Sequence, residues 1–202
     1  MRVARARLAV TAAAVAAATL VAGCAAPAYH GVVADPPAVV EDVALSGAAD
    51  GPFRLSDLAG RWVLLFFGYA HCPDVCPLTL AHLSGALDDL GPAADDITIV
   101  FVSVDPERDT PADLAAYAAS FGPRVRAVTG TRVEIDAAVA AFGARYSLEK
   151  DAPGASAAGY SVSHSGEVWV VDPERRLRLT IPYGVGSADI AADLRRLVVG
   201  GG

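Results

Sequence analysis

The sequence predicts an α/β domain, a central mixed sheet flanked by helices, and three observations predict it. Two apolar runs, Trp62 to Phe67 and Ile97 to Val104, have the length and composition of strands buried on both faces. Each is followed by a segment with helix start and stop signals, the βαβ pattern of parallel strands. Near the end, Glu167 to Val171 and Leu177 to Ile181 flank Asp172-Pro173-Glu174-Arg175, which predicts a terminal antiparallel hairpin. No internal repeat and no second domain is visible in the 202 residues.

Taken in order, Phe53-Arg54-Leu55 alternates like a short strand, Ser56-Asp57-Leu58 turns, and Gly60 precedes the first central strand. That strand ends at Gly68, and a helix runs from about Pro77 to Leu90, stopped by Gly91-Pro92. After the second central strand, Asp109-Thr110-Pro111 starts another helix, with Asp109 assigned to capping and proline at the first helical position. It runs to about Phe121 and stops at Gly122-Pro123. Arg124 to Val128 predicts a short strand and Arg132 to Phe142 a helix ended by Gly143. Lys150 to Gly159 is small and turn-rich, a loop, and Ala188 to Val199 closes the chain as a helix.

Between the first central strand and its helix lies Phe66-Phe67-Gly68-Tyr69-Ala70-His71-Cys72-Pro73-Asp74-Val75-Cys76-Pro77. Cysteines four apart at the start of a helix share one face. The positive end of the helix favours thiolate there, which makes both sulfurs better nucleophiles and better metal ligands. Soft thiolates select Cu(I), with zinc the main competitor, but two sulfurs do not complete a site. Buried cysteines also pack as small hydrophobes. The prolines after each, and their strand-to-helix position, favour function. Open α/β sheets bind ligands beyond their strand ends. The loop Ser161-Val162-Ser163-His164-Ser165-Gly166, entering the terminal strands, would face the cysteines and offers His164.

At the other end, Arg2, Arg5 and Arg7 precede an uncharged, mostly apolar run from Leu8 to Ala22. This reads as a signal peptide over residues 1–23, its apolar run shorter than the roughly 20 residues of a spanning helix. Leu20-Val21-Ala22-Gly23-Cys24 resembles a bacterial lipobox, which implies that Cys24 is diacylated and anchors the domain to the cell membrane on its extracytoplasmic face. Residues 24–38 read as a flexible tether, His30 as a solvated residue within it, and residues 39–202 as the domain. Removing residues 1–23 leaves 13 basic against 23 acidic residues, a net charge of −10. That balance argues against nucleic acid as a partner, since basic patches supply affinity there. The sole methionine is Met1, removed with the signal, so no thioether ligand is available.

A cysteine pair at the tip after the first main strand resembles the thioredoxin-like arrangement, with His164 where thioredoxins usually carry a proline. The full set of motifs is more specific. Phe67-Gly68-Tyr69, His71 to Pro77, Ser103-Val104-Asp105-Pro106-Glu107-Arg108-Asp109-Thr110-Pro111 and His164-Ser165 resemble the Sco/SenC family over about Pro52 to Leu197. Ala70 departs from the threonine common there, and the chain around Trp169 is only loosely alike. The resemblance implies a thioredoxin-like copper protein that assists assembly of the dinuclear copper centre of cytochrome c oxidase. It implies Cys72, Cys76 and His164 as copper ligands and the copper-binding oxidase subunit as partner, with a monomer as the default.

Other residues are assigned more modest roles. His71 reads as an exposed loop histidine able to tune the site, and His82, six after Cys76, points away. Asp74 orients a partner or stabilises the first helical turn; Glu107 and Arg108 read as docking surface. Tyr69, Trp62 and Trp169 read as core and rim aromatics. The leading expectation is a metallochaperone delivering copper, not a turnover enzyme in the strict sense. The alternative is a thiol–disulfide reductase that keeps the oxidase copper-site cysteines reduced through the redox pair Cys72 and Cys76. A peroxiredoxin-like role is disfavoured, because Tyr69 stands where a Thr-x-x-Cys start would need threonine.

Overall fold

The computed structural model describes residues 28–149 and 160–200. The segment expected as a signal peptide, Cys24 and the stretch over 150–159 expected as a loop lie outside the described residues. A six-stranded mixed sheet forms the centre, in the order β1-β10-β9-β4-β5-β6. β4 (Trp62–Gly68) pairs in parallel with β5 (Ile97–Ser103), and β5 with β6 (Val125–Val128). β9 (Val168–Val171) and β10 (Leu177–Ile181) are the antiparallel hairpin, and β1 (Val32–Val33) closes the far edge. Four helices, α1 (Val75–Leu90), α2 (Pro111–Ala119), α3 (Arg132–Ala141) and α4 (Ser187–Val198), cover the sheet. Among the described residues none is long and apolar enough to cross a membrane.

The strand runs are apolar throughout because alternate side chains enter different layers. Phe66 and Phe101 face one side, where Phe101 meets Tyr117 of α2. Phe67 and Trp169 face the other, against Phe142 at the end of α3. This aromatic packing on both sides holds β4 rigid up to Gly68, the point from which the cysteine segment departs.

Three differences from the sequence expectations bear on function. β1 lies inside the stretch assigned to the tether, so ordered structure begins before residue 39. The segment expected as a loop around His164 is a strand, β8 (Ser161–His164). It pairs with β7 (Tyr146–Glu149) as a two-stranded ribbon outside the main sheet. The third is β2 (Ala44–Leu45), an unexpected strand that pairs with the expected one, β3 (Phe53–Arg54), in a second small ribbon. Strands of two to four residues offer too few positions for a period to be legible.

Candidate metal centre

β4 ends at Gly68, and its carbonyl accepts from Val104 N at 2.8 Å, so the cysteine segment begins beside the turn that follows β5. Gly68 has to be glycine: a Cβ there would lie 2.7 Å from Cys76 Sγ and 2.7 Å from a Phe101 ring carbon. α1 begins at Val75, two residues earlier than expected, so Cys76 lies in its first turn and Cys72 just before it. Cys76 is fully buried and Cys72 half-buried, and neither is in a disulfide. Cys76 N donates to Cys72 Sγ at 3.5 Å, the helix-end contact that favours thiolate.

His164 arrives from β8. Its Nδ1 lies 2.8 Å from the Ser165 carbonyl, which only accepts, so Nδ1 carries the proton and Nε2 keeps its lone pair. Nε2 points at Cys76 Sγ, 3.3 Å away. The ring is seated edge-on between Phe66 (5.7 Å) and Tyr69 (6.0 Å). One ligand atom from each of Cys72, Cys76 and His164 lies within 4.8 Å of the others, the one such three-residue group among the described residues. An open groove of about 330 Å³ exposes the Cys72 and His164 side of the cluster between the Pro73-Asp74-Val75 turn and Val162-Ser163.

The two thiols are not equivalent. Hydrogen bonding from Cys76, which outweighs burial and is assisted by His164 and the Asp74 and Cys76 backbone, pulls Cys72 down to about 3, so it is a thiolate at neutral pH. The neighbouring Cys72 thiolate and burial push Cys76 up, so it keeps its proton. Burial, then the Cys72 charge, raises Tyr69 to about 12 and keeps it a phenol. The site therefore combines an accessible thiolate, a buried thiol and an unprotonated imidazole nitrogen.

Around it, several assigned roles change. Asp109 is no cap: Thr110 caps α2, accepting from Asp113 N, while the fully buried Asp109 turns inward. It accepts from Ala70 N (2.8 Å) and Ser103 Oγ (2.6 Å), and its other oxygen lies 2.9 Å from His71 Nδ1. His71 is thus a half-exposed residue held by a buried carboxylate. Arg108 is mostly enclosed, paired with buried Asp105, and its guanidinium lies over the rings of Tyr160 (4.1 Å) and Tyr69 (5.5 Å). Glu107 remains exposed, 3.6 Å from Arg132. Asp74 precedes α1 without a side-chain cap bond. His82 lies beside Gly166 and Tyr183, outside the cluster. Trp62 and Trp169 are buried; Tyr69, also buried, is a wall of the site.

His30 is not solvated freely. Its backbone N–H and that of Gly31 donate to the buried Asp193 of α4 (2.9 Å each), and its ring lies between Asp193 (3.1 Å) and Asp189 (3.4 Å). Arg196 stacks over Tyr29 at 3.9 Å. Tyr160 is absent from the site as read in sequence, and Ser103 and Asp105 enter it only as members of the family motif. Their signal, a tyrosine four before His164 and polar residues at the end of an apolar strand, is faint without the fold.

The match to known proteins agrees with this geometry. The SCO1/SenC family model matches residues 33–199. SenC of Rhodobacter capsulatus is 37% identical over 139 residues, 64% of this chain and 61% of SenC. The structure of apo Sco1 from Thermus thermophilus superposes with a TM-score of 0.76 at 37% identity, covering 86% of this chain and 99% of that one. Copper-bound ScoI of Bradyrhizobium japonicum gives 0.68 at 31% identity, covering 79% and 99%. The chain spans about half the length of the curated relatives it matches, from 40% to 61% for the first three. The fold is thioredoxin-like, and the chain belongs to the SCO1/SenC family.

Proposed function

We propose that the chain is a copper metallochaperone that binds copper through Cys72, Cys76 and His164 and passes it to the dinuclear copper centre of cytochrome c oxidase. One observation carries this reading: two sulfurs and one imidazole nitrogen from separate elements converge within 4.8 Å. The donor set suits a soft monovalent ion in three-coordination, and a further ligand would accommodate Cu(II). The open groove leaves Cys72 and His164 reachable, so a partner thiolate can enter and take the ion by ligand exchange. Copper-bound ScoI of Bradyrhizobium japonicum, with the same fold, supports copper as the cargo. The lipobox-like segment supports an anchor at Cys24, which keeps the domain beside a membrane-embedded acceptor.

The test is an anaerobic Cu(I) titration of the reduced soluble domain against a competing chelator, wild type beside His164→Ala. One equivalent bound tightly and weakened in the variant is the expected result; equal, weak binding in both sinks the proposal.

The inequality of the thiols supports a second reading, thiol–disulfide reduction of the acceptor. The Cys72 thiolate attacks a partner disulfide, forming a mixed disulfide and releasing one partner thiolate. Cys76 then loses its proton and displaces the second, leaving a Cys72–Cys76 disulfide that an external dithiol must reduce again. Trapping the mixed disulfide with Cys76→Ser would establish this activity.

A further inference from the structure

The ligands of the candidate centre come from two bodies that share no backbone ladder. Cys72 and Cys76 follow β4 of the main sheet, whereas His164 ends β8, a strand that pairs only with β7 among the described residues. Something has to set the distance between them. From Asp151 to Gly159 the sequence offers only Ala, Gly, Pro, Ser and one Asp, so Tyr160 is the first large side chain before β8.

Tyr160 is buried and held at three points by one short turn. Its hydroxyl donates to Asp105 Oδ1 (2.5 Å), its carbonyl accepts from Arg108 (3.2 Å), and its ring lies under the same guanidinium. Arg108 also donates to Asp105, closing the triangle. The same turn grips the cysteine side. Ser103 Oγ accepts from Asp105 N (3.1 Å) and donates to Asp109, which receives Ala70 N and holds His71. The Asp105 carbonyl accepts from Asp109 N at 3.0 Å, so the two carboxylates belong to one hydrogen-bonded loop.

We infer that residues 103–109 act as a spacer with two grips, and that Tyr160, through Asp105 and Arg108, is a positioning residue for His164. Four residues of extended chain carry that registration from Tyr160 to the imidazole, a strut of roughly 13 Å. The inference rests on His164 being a copper ligand. A side chain supporting a metal ligand typically changes affinity about 10–100-fold when removed. Tyr160→Phe keeps the ring under Arg108 and deletes only the bond to Asp105, so its loss belongs near the lower figure.

The experiment is a double-mutant cycle read by Cu(I) competition on wild type, Tyr160→Phe, His164→Ala and the double variant. About a tenfold loss for Tyr160→Phe in the wild-type background, and none in the His164→Ala background, is the expected outcome. An equal loss in both backgrounds, or no loss in the first, overturns the inference. If His164→Ala alone leaves affinity unchanged, the ligand assignment itself has failed, a distinguishable result. Should Tyr160→Phe fold poorly, the same cycle with Asp105→Asn decides the question.

Discussion

The two halves of the candidate centre are built to different standards. The cysteine half stands on β4, buried along its whole length and laddered on both sides, and its second sulfur is sealed beneath Gly68. The histidine half stands on a four-residue strand with one described neighbour, and only Val162 in it is buried. The difference teaches where adaptability lies. Both candidate sulfurs hang from the core strand, while the candidate histidine sits on an element held to the rest by a few polar contacts.

The largest effect breaks the cysteine half. Cys72→Ser or Cys76→Ser should abolish tight Cu(I) binding, a loss beyond the roughly 10–100-fold that follows removal of a supporting residue; the same competition titration reads it. Next, Asp109→Ala strips acceptors from Ala70 N and the Ser103 hydroxyl in a buried setting. About 1–3 kcal/mol is expected for each orphaned donor, seen as a lower urea midpoint. Gly68→Ala drives a methyl into Cys76 and Phe101, and overpacking of that kind costs about 1–3 kcal/mol by the same measurement.

A gentler probe sharpens the contrast without mutation. Native-state hydrogen exchange should show β7–β8 amides opening a few kcal/mol more easily than those of β4 and β5. Equal protection in both would erase the distinction. The smallest effect is chemical. An acid whose folded pKa is depressed stays ionised down to that pKa, so alkylation of Cys72 by iodoacetamide should be nearly flat between pH 8 and pH 5. In the unfolded chain the rate should fall about tenfold per pH unit below the ordinary thiol value of about 8.5. An inflection near that value in the folded protein would show that Cys76 does not hold the Cys72 charge.

Much of this was legible from residues alone. Long apolar runs announce buried strands, and a Cys-x-x-x-Cys at a strand-to-helix junction announces reactive sulfur. The three ligand candidates were named from sequence, and the structure brings their atoms together. What escaped has a common cause. Tyr160 meets Asp105 across 55 residues and His30 meets Asp193 across 163, and neither pairing follows any local period. Asp109 beside Thr110 and Pro111 looks like a cap because the local pattern for capping is satisfied; only burial shows that Thr110 does that work. Strands as short as β1 and β8 owe their existence to the edge or ribbon they complete, which is tertiary information.

The clasp of His30 and Gly31 on Asp193 has a mechanical consequence. With the proposed lipid on Cys24, the stretch between the anchor and the first clasped residue, His30, ends at Tyr29 rather than at residue 38. Five peptide steps span at most about 18 Å, where fourteen would span about 50 Å. Under that anchor the domain would be moored by its α4 and β1 edge, free to pivot but not to roam. On that proposal its groove would sweep a shallow zone above the bilayer, and an acceptor would have to present its copper ligands within that zone.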